Sequence, residues 1–229
     1  MWPNSELWSA GTSGAVTLGN EIFHLSVVDC GALKIASGKL AACDPFVCLD
    51  GVGEGYVKVP KGEFPVTATI ADVSGEDDGS LMREAYLTVR FNDAPEKTRK
   101  LLQMSADGTA ANDLPDGEFY GFSVDAGTAC LVDADAVAPG MPEDSLEWDE
   151  TVFQPDDGGW FDRMEDEHHI REGIANLPLP RNPDEANIVI CHSGWGDGVY
   201  PMVGGYDADG RLVAVHIDFL VVFDDEVPE

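Results

Sequence analysis

Residues 191–201, with the sequence CHSGWGDGVYP, contain the densest set of side chains that could do chemistry. Three glycines turn this segment, and polar groups on such loops often bind or react. His192 could act as a base or ligand, Ser193 as a nucleophile or hydrogen-bond donor, and Asp197 could orient the histidine or hold a cation. The alternative is structural: the glycines form a tight connection, Asp197 binds turn amides and Trp195 covers the core.

A second polar pair, His216 and Asp218, lies two residues apart in the predicted strand Leu212–Phe223. If this face of the strand opens toward the loop, the pair would form one pocket with His192 and Asp197. Such a pocket would suit a hydrolase or a cation-dependent enzyme, in which Asp197 and Asp218 hold a metal ion or orient His192. The structural alternative is cross-strand hydrogen bonding at a solvated face.

Two further groups are weaker candidates for metal ligands. Asp207 and Asp209 resemble the start of a calcium loop, but the third acid and the terminal Glu are missing. Asp-Gly between two strands is typical of a hairpin turn. The run Glu165–His169 lacks the HExxH spacing and is typical of a solvated helix face. No cofactor is predicted, and a divalent cation is considered only for the cation-dependent enzyme.

The elements that must position these residues are mainly β-strands. Apolar and polar residues alternate in Ala85–Phe91 and in Leu212–Phe223, as in half-buried strands. Two helices are also predicted. Asp93-Ala-Pro-Glu96 has the signature of a helix start, so a helix is expected over about residues 94–104. A second helix is expected over roughly Trp160–Ile174.

The chain repeats one set of signals in the same order. Gly38 and Asp44 match Gly127 and Asp133 in spacing, a Gly-x-aromatic-Pro motif follows at residues 62–65 and 198–201, and an alternating strand follows each motif. We therefore predict two diverged copies of one β motif, with these glycines and aspartates in repeated structural turns.

The predicted fold is mainly β. Two related antiparallel β units, residues 1–114 and 115–229, form a sandwich or barrel-like body and pack as one structural unit. One short helix and an acidic helical insertion at about residues 135–185 complete this arrangement. Strands do not alternate with helices, so a doubly wound parallel sheet is not expected.

The charge of the chain is strongly negative and uneven. The net charge is −30, with 16 acids against 9 bases in residues 1–114 and 27 acids against 4 bases in residues 115–229. Within the insertion, residues 143–167 contain eleven acids and one base, interspersed with four aromatic residues. Aromatic residues between acids are unlike a disordered tail. They predict a segment that packs on the β body and displays a negative face.

This composition excludes some partners and favours others. Binding to nucleic acid or to an anionic membrane is not expected, because both depend on Lys and Arg. A basic protein partner, mimicry of nucleic acid and adaptation to a salty cytoplasm are all compatible with the acidity. The five cysteines contain no CxxC pair, and we see neither a secretory signal nor a membrane span, so a reducing cytoplasm is expected. The sequence predicts no oligomeric state.

Several motifs resemble a bacterial family known as domain of unknown function 4241. The resemblance rests above all on the stretch from His192 to Pro201, with Tyr206-Asp-Ala-Asp-Gly-Arg and Asp218-Phe following it. Earlier segments fit as well: 37–44, 60–66, 121–128 and 173–176. The resemblance spans about residues 30–222. It implies a bacterial, cytoplasmic, β-rich protein and transfers no catalytic residue, cofactor or partner.

The leading functional hypothesis is a binding protein of the immunity or regulatory type that uses an acidic surface on a basic partner. We expect binding rather than catalysis. The alternatives are the hydrolase or cation-dependent enzyme described above and a mimic of nucleic acid. The residues predicted to bind are two aromatics and five acids: Trp195, Tyr200, Glu147, Asp149, Glu150, Asp156 and Asp157.

Overall fold

A computed structural model describes residues 8–18, 21–75, 78–108 and 118–222. Over these residues the strands are β1 (Gly14–Leu18), β2 (Glu21–Ile35), β3 (Lys39–Cys43), β4 (Val57–Lys58), β5 (Gly62–Asp72), β6 (Met82–Arg90), β7 (Thr98–Leu102), β8 (Gly121–Val124), β9 (Thr128–Asp133), β10 (Ile174–Pro178), β11 (Asn187–His192), β12 (Gly198–Tyr206) and β13 (Leu212–Asp218). The helices are α1 (Ala134–Gly140) and α2 (Trp160–Glu165), with further helical turns of other geometry at Leu49–Glu54, Ser145–Glu147 and Asp149–Phe153.

The strands form two antiparallel sheets. In the large sheet the order is β1-β2-β5-β6-β13-β12-β7, and β8 pairs with the first residues of β12. In the small sheet the order is β10-β11-β9-β3-β4. The prediction of a mainly β, sandwich-like body is confirmed, and the described strands do not close into a barrel.

Hydrophobic residues fill two layers, one on each face of the small sheet. On β11, Val189 and Cys191 point into the core between the two sheets, whereas Ile188 and Ile190 point into a second core beneath the helical insertion. A strand buried on both faces is continuously apolar, as residues 188–191 are. The molecule therefore has three layers: the large sheet, the small sheet and the helices.

The pairing registers relate the two halves of the chain by a local two-fold axis. Ala42 and Leu131 occupy the same position after the matched glycines, and they pair with each other where β3 meets β9. In the large sheet, Thr88 and His216 occupy matching positions in the two hairpins, and they pair where β6 meets β13. Two copies of one motif would have these registers. The common origin of the halves stays a prediction.

The predicted helix at about residues 94–104 is wrong. Thr98–Leu102 instead form β7, which pairs with β12. Strand β12 of the second half corresponds to β5 of the first half. The edge of β5 is covered by the bulged strand β2, and the corresponding edge of β12 is covered by β7 and β8. Pairing with a partner strand therefore overrides the local signature of a helix start.

Other predicted boundaries also shift. The second predicted helix is shorter than expected, because α2 ends at Glu165 and the chain turns into β10 at Ile174. Strand β13 ends at Asp218, and Phe223 lies outside the described residues. Residue 114, the predicted boundary between the halves, also lies outside them.

Candidate functional site

The loop after β11 is held by hydrogen bonds of its own polar residues. Ser193 is fully buried, and its Oγ donates to the carbonyl oxygen of Gly196 at 2.7 Å. The hydroxyl of Tyr200 donates to the same oxygen at 2.8 Å, and the amide of Gly127 donates to Asp197 Oδ1 at 3.0 Å. Asp197 thus accepts from a turn amide, and the Ser193 hydroxyl is directed to a carbonyl oxygen rather than to His192.

His216 lies elsewhere, on the outer face of the large sheet. Its Nδ1 is 2.8 Å from Thr88 Oγ1, its Nε2 is 3.2 Å from Glu96 Oε1, and its ring meets the edge of Trp8. Burial lowers the pKa of His216. Burial alone would raise the pKa of Glu96, but His216 and Arg99 together lower it to about 2. The Glu96 carboxylate is thus the ionised centre of a buried polar cluster.

Two arginines complete this cluster. Arg90 Nη2 and Arg99 Nε lie 3.0 and 2.9 Å from the two oxygens of Glu96. The backbone approaches so closely that a Cβ on Gly205 would lie 2.5 Å from the Glu96 carboxyl carbon. Glycine is therefore required by space at position 205. Sequence analysis did not identify this cluster, since it depends on the strand that replaces the predicted helix.

The structure does not bring the predicted catalytic residues into one pocket. Asp218 is buried in the large sheet, where its Oδ1 accepts a hydrogen bond from the amide of Leu220 at 2.9 Å. His192 lies at the end of the small sheet, with its ring against Gly173. His192 and His216 thus belong to different sheets, and His216 binds Thr88 on the outer face of the large sheet rather than His192.

The predicted metal ligands have structural contacts instead. Asp207 Oδ1 accepts hydrogen bonds from the amides of Asp209 and Arg211 at 2.8 and 2.9 Å, in the hairpin turn between β12 and β13. Asp209 forms an ion pair with Arg211. Among the described residues, no group of three or more His, Cys, Asp or Glu side chains could hold a metal ion.

Asp44 and Asp133, the matched aspartates of the repeat, each accept hydrogen bonds from the turn of the other copy. Asp44 Oδ2 accepts from the amides of Asp125 and Ala126 at 2.9 and 2.6 Å, just before β9. Asp133 Oδ2 accepts from the amide of Ser37 at 2.8 Å, just before β3. Both carboxylates are buried, and Gly38 and Gly127 adopt φ values of 80° and 64°. The two aspartates and two glycines thus lie in corresponding turns, and the structural role predicted for them stays a prediction.

In the acidic insertion, the aromatic residues face the core and the acids face solvent. Trp148, Phe153 and Trp160 are buried over the small sheet, and the indole of Trp148 donates to the carbonyl oxygen of Pro142 at 2.9 Å. The five acids predicted to bind are all exposed: Glu147, Asp149, Glu150, Asp156 and Asp157. We call the exposed surface of residues 143–167 the acidic layer. Leu146 lies in this layer with 88% of its surface exposed.

A groove of about 770 Å³ lies beside the loop after β11. It is bounded by the loop before β6, the first residues of β6, the segment before β10 and the loop itself. Of the residues predicted to react or to bind, His192 and Trp195 line it, and Trp195 is 57% exposed rather than covering the core. Glu167 also lines the groove and belongs to the run Glu165–His169, whereas sequence analysis did not identify its other charged residues: Arg83, Glu84, Arg171 and Glu172.

Glu84 enters the groove because of a β-bulge. The register between β5 and β6 shifts at Thr69/Ile70, so that Glu84 pairs with Ile70, a residue of the core between the sheets. Bulges redirect side chains in this way. Only 5% of Glu84 is exposed, and burial raises its pKa to about 7 although Arg171 and Arg83 act to lower it. Its carboxyl group forms no hydrogen bond with any other described residue.

The two arginines of the groove have no carboxylate partner within the described part of the chain. Arg83 Nη1 contacts only its neighbour's carbonyl at 3.3 Å, its Nε is buried without a partner, and its guanidinium lies 5.6 Å from the ring centre of Trp195. Burial lowers the pKa of His192, and the charges of Arg83 and Arg171 act in the same direction. The groove can therefore offer two guanidinium groups, an indole and a buried carboxyl group to a ligand.

The fold and these surfaces define an antiparallel two-sheet protein with a helical outer layer and a polar groove. The chain belongs to the family described as "Protein of unknown function (DUF4241)", whose profile matches residues 33–217. No curated protein and no solved structure matches the chain. Within the described residues, no helix has the length and apolar character needed to cross a membrane.

Proposed function

We propose that this protein is a non-enzymatic binding protein whose acidic layer contacts a basic protein. One observation carries the proposal: the aromatic residues of the insertion are anchored in the core beneath it, so that its acids form an ordered outer surface. A purely solubilising segment has no need of buried tryptophans.

The charge of the layer is largely uncompensated. Arg163 pairs with Asp166 and Arg181 pairs with Glu143. The five acids predicted to bind have no cationic partner among the described residues. Like charges held close together repel each other, and a cationic surface would relieve this repulsion. Complementary charge also speeds association and selects the partner.

Leu146 supports a protein partner rather than free cations. Water does not stabilise a leucine side chain that has 88% of its surface exposed. Protein interfaces usually combine apolar residues at the centre with a polar rim. The proposed setting is a bacterial cytoplasm and a role of the immunity or regulatory type. The five free cysteines support a reducing compartment.

The test compares two variants with equal changes in charge. The first neutralises the predicted binding acids (Glu147→Gln, Asp149→Asn, Glu150→Gln, Asp156→Asn and Asp157→Asn). The control neutralises five exposed acids elsewhere (Glu54→Gln, Glu63→Gln, Asp93→Asn, Asp184→Asn and Glu185→Gln). Proteins captured from the host by the wild type are purified, and their association rates are measured at two salt concentrations.

The first variant should associate about tenfold more slowly at low salt, and the difference should shrink at high salt. Leu146→Ala should instead mainly speed dissociation, because it removes contact area without removing charge. The proposal fails if both charge variants slow association equally, or if neither does. It also fails if every captured partner is acidic.

A further inference from the structure

We propose that the groove beside Trp195 binds a small molecule that carries a carboxylate or phosphate group next to a planar ring. This site meets the acidic layer at Glu167 but differs from it in holding two arginines without ion pairs among the described residues, and the inference does not rest on the proposed function. The residues that carry it are Arg83, Glu84, Arg171 and Trp195.

The pairing of the arginines is the first argument. The chain has 43 acids and 13 basic residues, so a basic side chain readily finds a carboxylate. Five of the seven arginines do so: Arg90, Arg99, Arg163, Arg181 and Arg211. Arg83 and Arg171, for which the described residues provide no ion pair, both line this groove. Two guanidinium groups that face one cavity are the usual receptor for an oxyanion.

The presentation of Trp195 is the second argument. The residue stands between Gly194 and Gly196, whose φ values of 64° and 99° form a turn that other residues rarely adopt. This turn is fixed by the buried hydroxyl of Ser193, which binds the Gly196 carbonyl. The loop thus holds a large indole at the edge of the groove, with the guanidinium of Arg83 over it. Both groups stack on planar rings.

The buried carboxyl group of Glu84 is the third argument. Burying a carboxyl group that accepts no hydrogen bond from another described residue is costly, and here the bulge in β6 directs that group toward the groove. A hydroxyl or amine on the ligand would satisfy it and fix the orientation of the ring. Glu167 and Glu172 are exposed residues of the lining, where solvent weakens their repulsion of an anion. The groove volume lies in the range of small-molecule sites.

The experiment measures binding of defined probes by calorimetry and tryptophan fluorescence at low ionic strength. Benzoate and phenyl phosphate represent the two sources of the anion, benzamide is the neutral analogue of benzoate, and inorganic phosphate lacks the ring. We expect at least one of the two anionic ring probes to bind with a Kd of about 1 mM or lower, and benzamide to bind at least tenfold more weakly. If benzoate binds more tightly than phenyl phosphate, the anion of the ligand is a carboxylate, and if phenyl phosphate binds more tightly, it is a phosphate.

The variants test each contact separately. Arg83→Gln and Arg171→Gln should each weaken the anionic probes about tenfold, whereas Arg211→Gln, which removes an exposed and paired arginine, should leave their affinity unchanged. Trp195→Ala should weaken the ring probes and leave inorganic phosphate unaffected. Thermal melts verify that each variant folds, and Arg171→Lys, which keeps the charge but loses the planar fork, should show an intermediate affinity.

Three results would overturn the inference. The first is the absence of saturation by both anionic ring probes at about 10 mM, well above the expected Kd. The second is binding of benzamide as tight as that of benzoate. The third is an equal loss of affinity in Arg171→Gln and Arg211→Gln, which would mean that general charge rather than the groove attracts the probes.

Discussion

Replacing Glu84 by Gln should stabilise the protein at neutral and alkaline pH. Burial raises the pKa of Glu84 to about 7 in the folded protein, above its ordinary value of 4.5. Folding therefore favours the protonated carboxyl group. The contribution of the protonated Glu84 to the free energy of unfolding is fully present below pH 4.5. It is lost as the pH rises toward 7, because the folded protein must then ionise a buried group. Glutamine has a similar shape and never ionises.

The size of the effect follows from the two pKa values. Their difference corresponds to about 3 kcal/mol of unfolding free energy once both states are ionised. At pH 8 Glu84→Gln should therefore be up to about 3 kcal/mol more stable than the wild type, and at pH 5 by less than about 1 kcal/mol. For a chain of this size, 3 kcal/mol raises Tm by roughly 6–12 °C.

The assay is urea unfolding at pH 5 and pH 8, both above the pI of about 4.1, where the chain keeps a net negative charge. Glu172→Gln is the matched control, because it removes an exposed acid from the same groove. Its effect should be small, because the side chain is exposed. If Glu84→Gln changes stability equally at both pH values, or lowers it at pH 8, the carboxyl group is not a buried acid with a raised pKa and the reasoning is refuted.

Asp44→Ala and Asp133→Ala each remove a buried carboxylate that accepts hydrogen bonds from backbone amides of the opposite turn, so each should lower the free energy of urea unfolding by about 3 kcal/mol; a loss below about 1 kcal/mol for either would contradict the reciprocal turns. Glu96→Gln should cost about 3 kcal/mol at pH 7, because two partly buried arginines lose their counter-charge. In the wild type this stabilisation should disappear as the pH falls from about 4.5 toward 2, since the pKa of Glu96 is about 2 in the folded state; a flat difference between variant and wild type over that window would argue against it. A disulfide reagent should modify one thiol of the native protein, Cys48, and four more after unfolding; rapid modification of several native thiols would contradict the described burial.

Regular patterns in the sequence were sufficient to predict the sandwich. The alternation in Ala85–Phe91 and from residue 212 onward corresponds to β6 and β13, which pair at the centre of the large sheet. The matched spacing from Gly38 to Asp44 and from Gly127 to Asp133 corresponds to two turns and two paired strands. Such signals are local and strong, because a turn needs particular residues and a half-buried strand needs a period of two.

The helix predicted near residue 94 shows where local signals mislead. Asp93-Ala-Pro-Glu96 has the composition of a helix start, but Glu96 turns inward to bind Arg90 and Arg99. The following residues complete the edge of β12. The free energy of this pairing and of the buried ion cluster depends on residues far away in sequence, so no short window could reveal it.

The groove could not be read from the sequence for a related reason. Arg83 and Glu84 begin β6, Arg171 precedes β10, and Trp195 follows β11. Only the folded chain brings these three segments together. The direction of Glu84 depends further on a bulge, which shifts the register by one residue and leaves no clear mark in composition. Trp195 was identified because its glycine-rich turn is a local signal.

The position of β13 determines when the large sheet can be completed during synthesis. This strand lies between β6 and β12, and Thr88 binds His216, which follows it by 128 residues. Ribosomes add about 5–20 residues per second, so β6 waits about 6–26 s with one edge unpaired. An unpaired strand edge invites pairing with other chains. The nascent protein therefore passes through a period in which it can aggregate, and chaperones that cover exposed strand edges should raise its yield.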